Sequence, residues 1–286
     1  MKIENKDYSL EVIEAGGEIQ SFYDKKNQLE FMWQGDSTYW AGKNPTLFPI
    51  VSNTYSGSYE WKGKTYELKN HGFIRNSQLT CVKHTENEIV MELKQNEETL
   101  SRYPFDFTYQ IAYQLNKNKV DIIYTITNDS KEIMPFSFGL HPGFNCPLLE
   151  GESFTDYRIV FPQEETITQL VTDQDKKQKP EIKTFKASEI PLDYQHIDTY
   201  KTLIYKDLKS PFVDLVGPKH SLRLSILGFK YFCVWTAKEG APFICLEPWY
   251  SHGDFYDPQC AFEKREDTLK LEPNHSFTTS YSIELN

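Results

Sequence analysis

The chain has 286 residues, 39% hydrophobic and 15% aromatic, with a formal net charge of −10. That apolar content sustains a sizeable core and argues against disorder, and the acidic balance argues against nucleic acid, whose phosphates need a basic surface. No run of about 18 apolar residues occurs and the N-terminus has no apolar signal region, so a soluble cytoplasmic protein with no membrane partner is expected.

Period-2 alternation dominates the chain. Tyr59-Glu60-Trp61 and Thr65-Tyr66-Glu67-Leu68 flank Lys62-Gly63-Lys64 as a hairpin, and Thr80–His84 and Ile89–Leu93 flank a polar turn as a second. Tyr109–Leu115 and Val120–Thr127 around Asn116-Lys117-Asn118-Lys119 make a third. Helical signals are short, around Glu97–Arg102 and Ala187–Tyr194, and the polar stretch Thr172–Pro180 reads as a surface excursion. Ser276–Leu285 is rich in β-branched and aromatic residues and reads as a closing strand. Many strands, few helices and no linker predict an all-β protein, a large antiparallel sandwich or barrel, with residues 1–286 in one domain.

The five cysteines, Cys81, Cys146, Cys233, Cys245 and Cys260, form no C-x-x-C pair and read as reduced core thiols. Phosphate-loop, dinucleotide, H-E-x-x-H and G-x-S-x-G motifs are absent, and the histidines lack metal-ligand spacing. The chemistry is therefore expected to use side chains without metal or cofactor.

Three segments stand out. In Asn70-His71-Gly72-Phe73-Ile74-Arg75, a strand would place His71, Phe73 and Arg75 on one face, suited to a polar ligand; the alternative is a solvated surface histidine. In Phe138-Gly139-Leu140-His141-Pro142-Gly143-Phe144-Asn145, His141 ends a strand at a tight turn, where catalytic groups often sit; the alternative is a capping role. In Phe243-Ile244-Cys245-Leu246-Glu247-Pro248-Trp249, an apolar strand ends in a carboxylate, and burial there would raise its pKa toward that of a general base. Trp249 would share the Glu247 side if the strand continued past Pro248, giving a sugar a flat ring beside a carboxylate. The alternative is a strand-end ion pair.

In this order, these segments, with Gly16-Gly17-Glu18-Ile19 and Leu47-Phe48-Pro49-Ile50-Val51, resemble the aldose 1-epimerase (galactose mutarotase-like) family, in its divergent bacterial branch. The resemblance implies a β-sandwich enzyme of carbohydrate metabolism that needs no metal or nucleotide and interconverts the anomers of a hexose. It implies Glu247 as base, His141 as acid and His71 as a supporting donor. Relatives usually carry Gly-Arg where this chain has Ser52-Asn53, so Asn53 and Arg75 are the candidates for binding hydroxyls, with Trp249 and Asp198 beside them. A hexose 6-phosphate substrate or a non-catalytic sugar binder, as monomer or homodimer, are the alternatives. A two-carboxylate glycosidase is disfavoured, since Asp254 and Asp257 sit in a loop-like sequence.

Overall fold

The computed structural model describes residues 1–173, 175 and 177–286; Gln174 and Lys176, within the polar stretch, lie outside the described residues. A four-stranded antiparallel sheet opens the chain: Lys2–Glu4, Tyr8–Val12, Ile19–Asp24 and Leu29–Glu30. A fifteen-stranded sheet follows. Its path runs from Thr46–Leu47 through Gly139–Leu140, Phe243–Trp249, Tyr231–Trp235 and Leu203–Lys206 to Arg158–Val171. From there it continues through Phe212–Val216, Ser221–Ser225, Ser276–Leu285, Lys119–Asn128 and Phe107–Asn116 to Glu88–Lys94 and Thr80–His84. The all-β antiparallel architecture expected from alternation is observed, in the sandwich form that the resemblance implies.

The three hairpins form at the expected places. Phe107–Asn116 and Lys119–Asn128 pair residue for residue from Phe107–Asn128 to Asn116–Lys119. Their alternating burial puts Tyr109, Ile111, Tyr113, Ile122 and Tyr124 inside, as a sheet with one solvated face requires. Phe243–Trp249 differs, being buried at every residue. It lies between Tyr231–Trp235 on one side and Gly139–Leu140 with Gly143–Asn145 on the other.

Pro248 does not end this strand. Leu246 donates its N–H to the Pro142 carbonyl and Tyr250 to that of Phe138, so by period-2 geometry the missing N–H of Pro248 faces the same side. On that side the register places Leu140, the last residue of Gly139–Leu140, opposite Pro248. His141-Pro142 carries the chain on to Gly143–Asn145 in the same register, with no turn between them, so the tight turn expected at His141 is absent.

The segment from Asn70 to Arg75 is not the expected strand. His71 and Gly72 have φ of 65° and 72°, and Ile74–Asn76 is a short 3-10 turn. His71, Phe73 and Arg75 therefore share no strand face: Phe73 is buried in the core while His71 and Arg75 line a cleft. The cause is a close backbone approach. His71 N–H donates to the Ser52 carbonyl at 2.8 Å and Phe73 N–H to that of Phe48 at 3.0 Å, and a Cβ on Gly72 would stand 2.1 Å from the Phe48 oxygen. The Phe48 ring is in turn packed among Phe73, Tyr103, Phe107, Tyr109 and Phe136.

The helix Glu97–Arg102 is present, capped by Asn96, whose side chain accepts from Thr99 N–H at 2.9 Å. The second helix is displaced from its expected place to Tyr194–Tyr200. Ala187 belongs instead to the strand Glu181–Pro191, opposite Glu165, and the helix begins after Asp193, whose carboxylate accepts from Gln195 N–H at 2.9 Å. The five thiols are unpaired; Cys146, Cys233 and Cys245 are core residues, but Cys81 is only half-buried and Cys260 is exposed, because they fall on an edge strand and a loop.

Gly72→Ala should collide with the Phe48 backbone and force alanine into the left-handed region, a loss of roughly 3 kcal/mol or more. Urea unfolding of the variant measures it; stability within about 1 kcal/mol of the parent would contradict the close approach.

Candidate active site

Glu247 stands near the end of a strand with no exposed residue, and is itself 1% exposed. Burial drives its carboxyl well above the ordinary carboxylate range, against a smaller opposing effect from the indole of Trp249. His141, 7% exposed, brings Nε2 to 3.3 Å from Glu247 Oε2. The backbone fixes it there: His141 N–H donates to the Pro45 carbonyl at 3.1 Å and Gly143 N–H to that of Lys43 at 2.7 Å. Its ring lies 4.8 Å from the Trp40 ring and 5.5 Å from Trp235. This desolvation, reinforced by His71 and Arg75, holds the imidazole well below its ordinary pKa.

His71 stands nearly perpendicular to His141, with ring centres 5.6 Å apart. Ser52 N–H donates to His71 Nδ1 at 3.0 Å, so the ring proton sits on Nε2. Burial, and then the Arg75 guanidinium, push its pKa down to about 3. His71 is thus a fixed neutral donor, oriented by the backbone. Ser52 itself has φ of 57°, a left-handed conformation that favours glycine.

These groups line a cleft of about 420 Å³ with Asn53, Arg75 and Trp249. Six of the seven residues singled out in the sequence are therefore together. Asp198 is not among them: it lies on the helix Tyr194–Tyr200, exposed, with its carboxylate 2.7 Å from Lys201 Nζ. A helix position three residues before a lysine favours that pairing over the cleft. Asp254 pairs with Arg265 at 3.1 Å and accepts Tyr55 N–H at 2.7 Å, outside the cleft. Among the described residues Glu247 is the one carboxylate lining it, which removes the two-carboxylate arrangement of a glycosidase.

The cleft also takes Trp40, Asn70, Thr202 and Trp235, which sequence reasoning did not single out. Trp40 and Trp235 come from a loop and a strand end that look like ordinary core tryptophans; Asn70, directly before His71, was within reach. Cys245, on the Glu247 face of the strand, has its sulfur within 4.8 Å of ligand atoms of His141 and Glu247. That is a donor set able to hold a cation, and one that histidine spacing alone does not reveal.

Three buried polar atoms here have no hydrogen-bond partner: His141 Nδ1, Glu247 Oε2 and Trp249 Nε1. Buried orphans are costly, and their convergence on one cleft marks a place built for a polar ligand. An acid–base pair, a neutral donor and indole faces around a space of this size suit proton transfer on a small polyhydroxylated ring.

The comparisons with known proteins agree. Protein LacX of Lactococcus lactis is 29% identical over 299 residues, spanning 99% of this chain and 98% of that protein. The crystal structure of a galactose mutarotase-like protein from Lactobacillus casei superposes with a TM-score of 0.93 at 27% identity, covering 100% of this chain and 99% of that one. A galactose mutarotase related enzyme from Lactobacillus acidophilus gives 0.91 at 30% identity, covering 100% and 97%. The family model described as aldose 1-epimerase matches residues 1–285, and the chain belongs to that family.

Proposed function

We propose that the protein is an aldose 1-epimerase acting on a free hexose, with Glu247 as base, His141 as acid and His71 as a supporting donor. The observation that carries this reading is the 3.3 Å approach of a buried histidine to a buried carboxyl in the sugar-sized cleft. Its five unpaired thiols fit a reducing cytoplasmic setting.

The reaction requires that O1 lose a proton while O5 gains one. Glu247 takes the O1 proton, the C1–O5 bond breaks, and His141 protonates O5. Rotation about C1–C2 turns the aldehyde, and the roles exchange on closure. His71 Nε2–H, which cannot ionise near neutrality, donates to oxygen as charge develops.

Burial favours uncharged forms of both partners. A neutral carboxyl beside a neutral imidazole holds the same number of protons as a carboxylate beside an imidazolium. The two states differ by one transfer across 3.3 Å, without exchange with solvent. Sugar hydroxyls entering the cleft give the orphaned atoms partners and reduce the desolvation that opposes the ionised pair.

Arg75 is the one lysine or arginine among the described residues lining the cleft, and Asn53 adds no charge. A phosphate dianion would gain little there, which supports an unphosphorylated hexose. The galactose mutarotase description of the Lactobacillus acidophilus relative supports the same choice.

Polarimetry on freshly dissolved α-D-galactose and α-D-glucose tests the reading: the protein should speed mutarotation above the buffer rate, and no acceleration with any hexose would overturn it. Glu247→Gln should lower kcat by about 10²–10⁴ while KM changes only a few-fold; unchanged kcat would remove the base. The pH profile follows from the pair. Below the working range it gains a second proton and loses the carboxylate; above it, the pair loses its last proton and the acid. Burial pushes the first event down and the second up, so kcat/KM should stay flat through pH about 6.5, the ordinary histidine value. An inflection centred there would contradict the assignment.

A further inference from the structure

A second cavity, of about 500 Å³, lies where Gln169, Lys183, Phe185, Tyr200 and Tyr205 meet near His196. Strand register puts it on the opposite face of the sheet from the cleft. Glu247 pairs with Cys233, Cys233 with Ile204 and Ile204 with Leu170, all on the cleft side. One residue along, Phe232, Tyr205 and Gln169 pair in a row on the other side, and Gln169 pairs with Lys183. The cavity therefore shares a wall with the cleft but none of its chemistry.

Two buried polar atoms lie at its floor without partners: Gln169 Nε2 and Tyr205 Oη, on residues only 3% and 0% exposed. Leaving such donors unsatisfied is costly unless something else completes them. The aromatic faces are supplied by Phe185 and Tyr200; Phe185 meets Tyr205 edge-on at 6.3 Å. Lys183 Nζ sits 5.4 Å over the Tyr200 ring and 3.5 Å from its hydroxyl, and no carboxylate within ion-pair distance of it is found among the described residues. The two carboxylates of the lining are already engaged: Glu189 with Arg158 at 3.1 Å, and Asp193 with the N-terminus of the helix Tyr194–Tyr200.

The free groups are thus an amide donor, a phenol hydroxyl and one cation, set among aromatic rings. We propose that this cavity is a binding site for a small aromatic carboxylate, its ring against Phe185 and Tyr200, its anion on Lys183 and its acceptors satisfying Gln169 Nε2 and Tyr205 Oη.

Benzoate is the probe and benzyl alcohol its uncharged counterpart, followed by NMR on the whole isotope-labelled chain. Benzoate should shift the Gln169 side-chain amide and the Lys183–Phe185 signals saturably, with a dissociation constant of about 1 mM, while the Trp235 and Trp249 indole signals stay in place. Lys183→Met, at an exposed position, should weaken benzoate about 10-fold and leave benzyl alcohol unchanged. Tyr205→Phe should weaken benzoate several-fold. Absence of saturable shifts at Gln169, shifts confined to the cleft indoles, or equal benzoate affinity in Lys183→Met would overturn the proposal, whatever the outcome of the mutarotation assay.

Discussion

An ionisable group held out of water must either shed its charge or find a partner, and the cleft is organised around one such group. Glu247 ends an apolar strand at 1% exposure, where a lone carboxylate would be costly. Among the described residues no lysine or arginine lies within ion-pair distance of it. Its neighbour is His141, 3.3 Å away and itself desolvated against two indoles, and burial of each group favours its own uncharged form. On the proposed reading the pair holds one transferable proton, beside a cleft with space for a sugar.

The fold secures this pair through a shared register and a break in regularity. The His141-Pro142 link keeps one register between Gly139–Leu140 and Gly143–Asn145 along Phe243–Trp249, which sets His141 opposite Glu247. The left-handed turn at His71-Gly72 is pinned to Phe48 and Ser52 by backbone hydrogen bonds, which also fixes the His71 tautomer. Phe48 couples this turn to the aromatic core. The geometry of the candidate site and core packing are therefore joined at one residue, so a change that loosens Phe48 acts on the cleft as well as on stability.

The regular parts of this architecture were legible in the sequence because alternation and turn residues are local signals. Lys62-Gly63 and Lys117-Asn118 mark turns, and the flanking strands alternate without error. Glu247 was legible for the opposite reason: a carboxylate closing an apolar run is a local contradiction. His71 was found but placed on a strand, since a left-handed pair stabilised by a distant carbonyl has no periodicity to read. Trp40, Thr202 and Trp235 were invisible because the cleft gathers them across nearly two hundred residues of chain. Asp198 failed where no motif surrounded it, and helical spacing to Lys201 was the better guide to its partner. Ser52 occupies a left-handed backbone conformation that favours glycine, a demand that no local signal around it announces.

The central claim is that Glu247 and His141 share one proton as a neutral pair in the ligand-free cleft. Infrared difference spectroscopy on glutamate-labelled protein at neutral pH, comparing the parent with Glu247→Gln, reads this state directly. The account predicts the carbonyl stretch of a neutral carboxyl in the parent, absent from the variant, with no imidazolium bands. A carboxylate signal from Glu247, accompanied by a protonated His141, would contradict it.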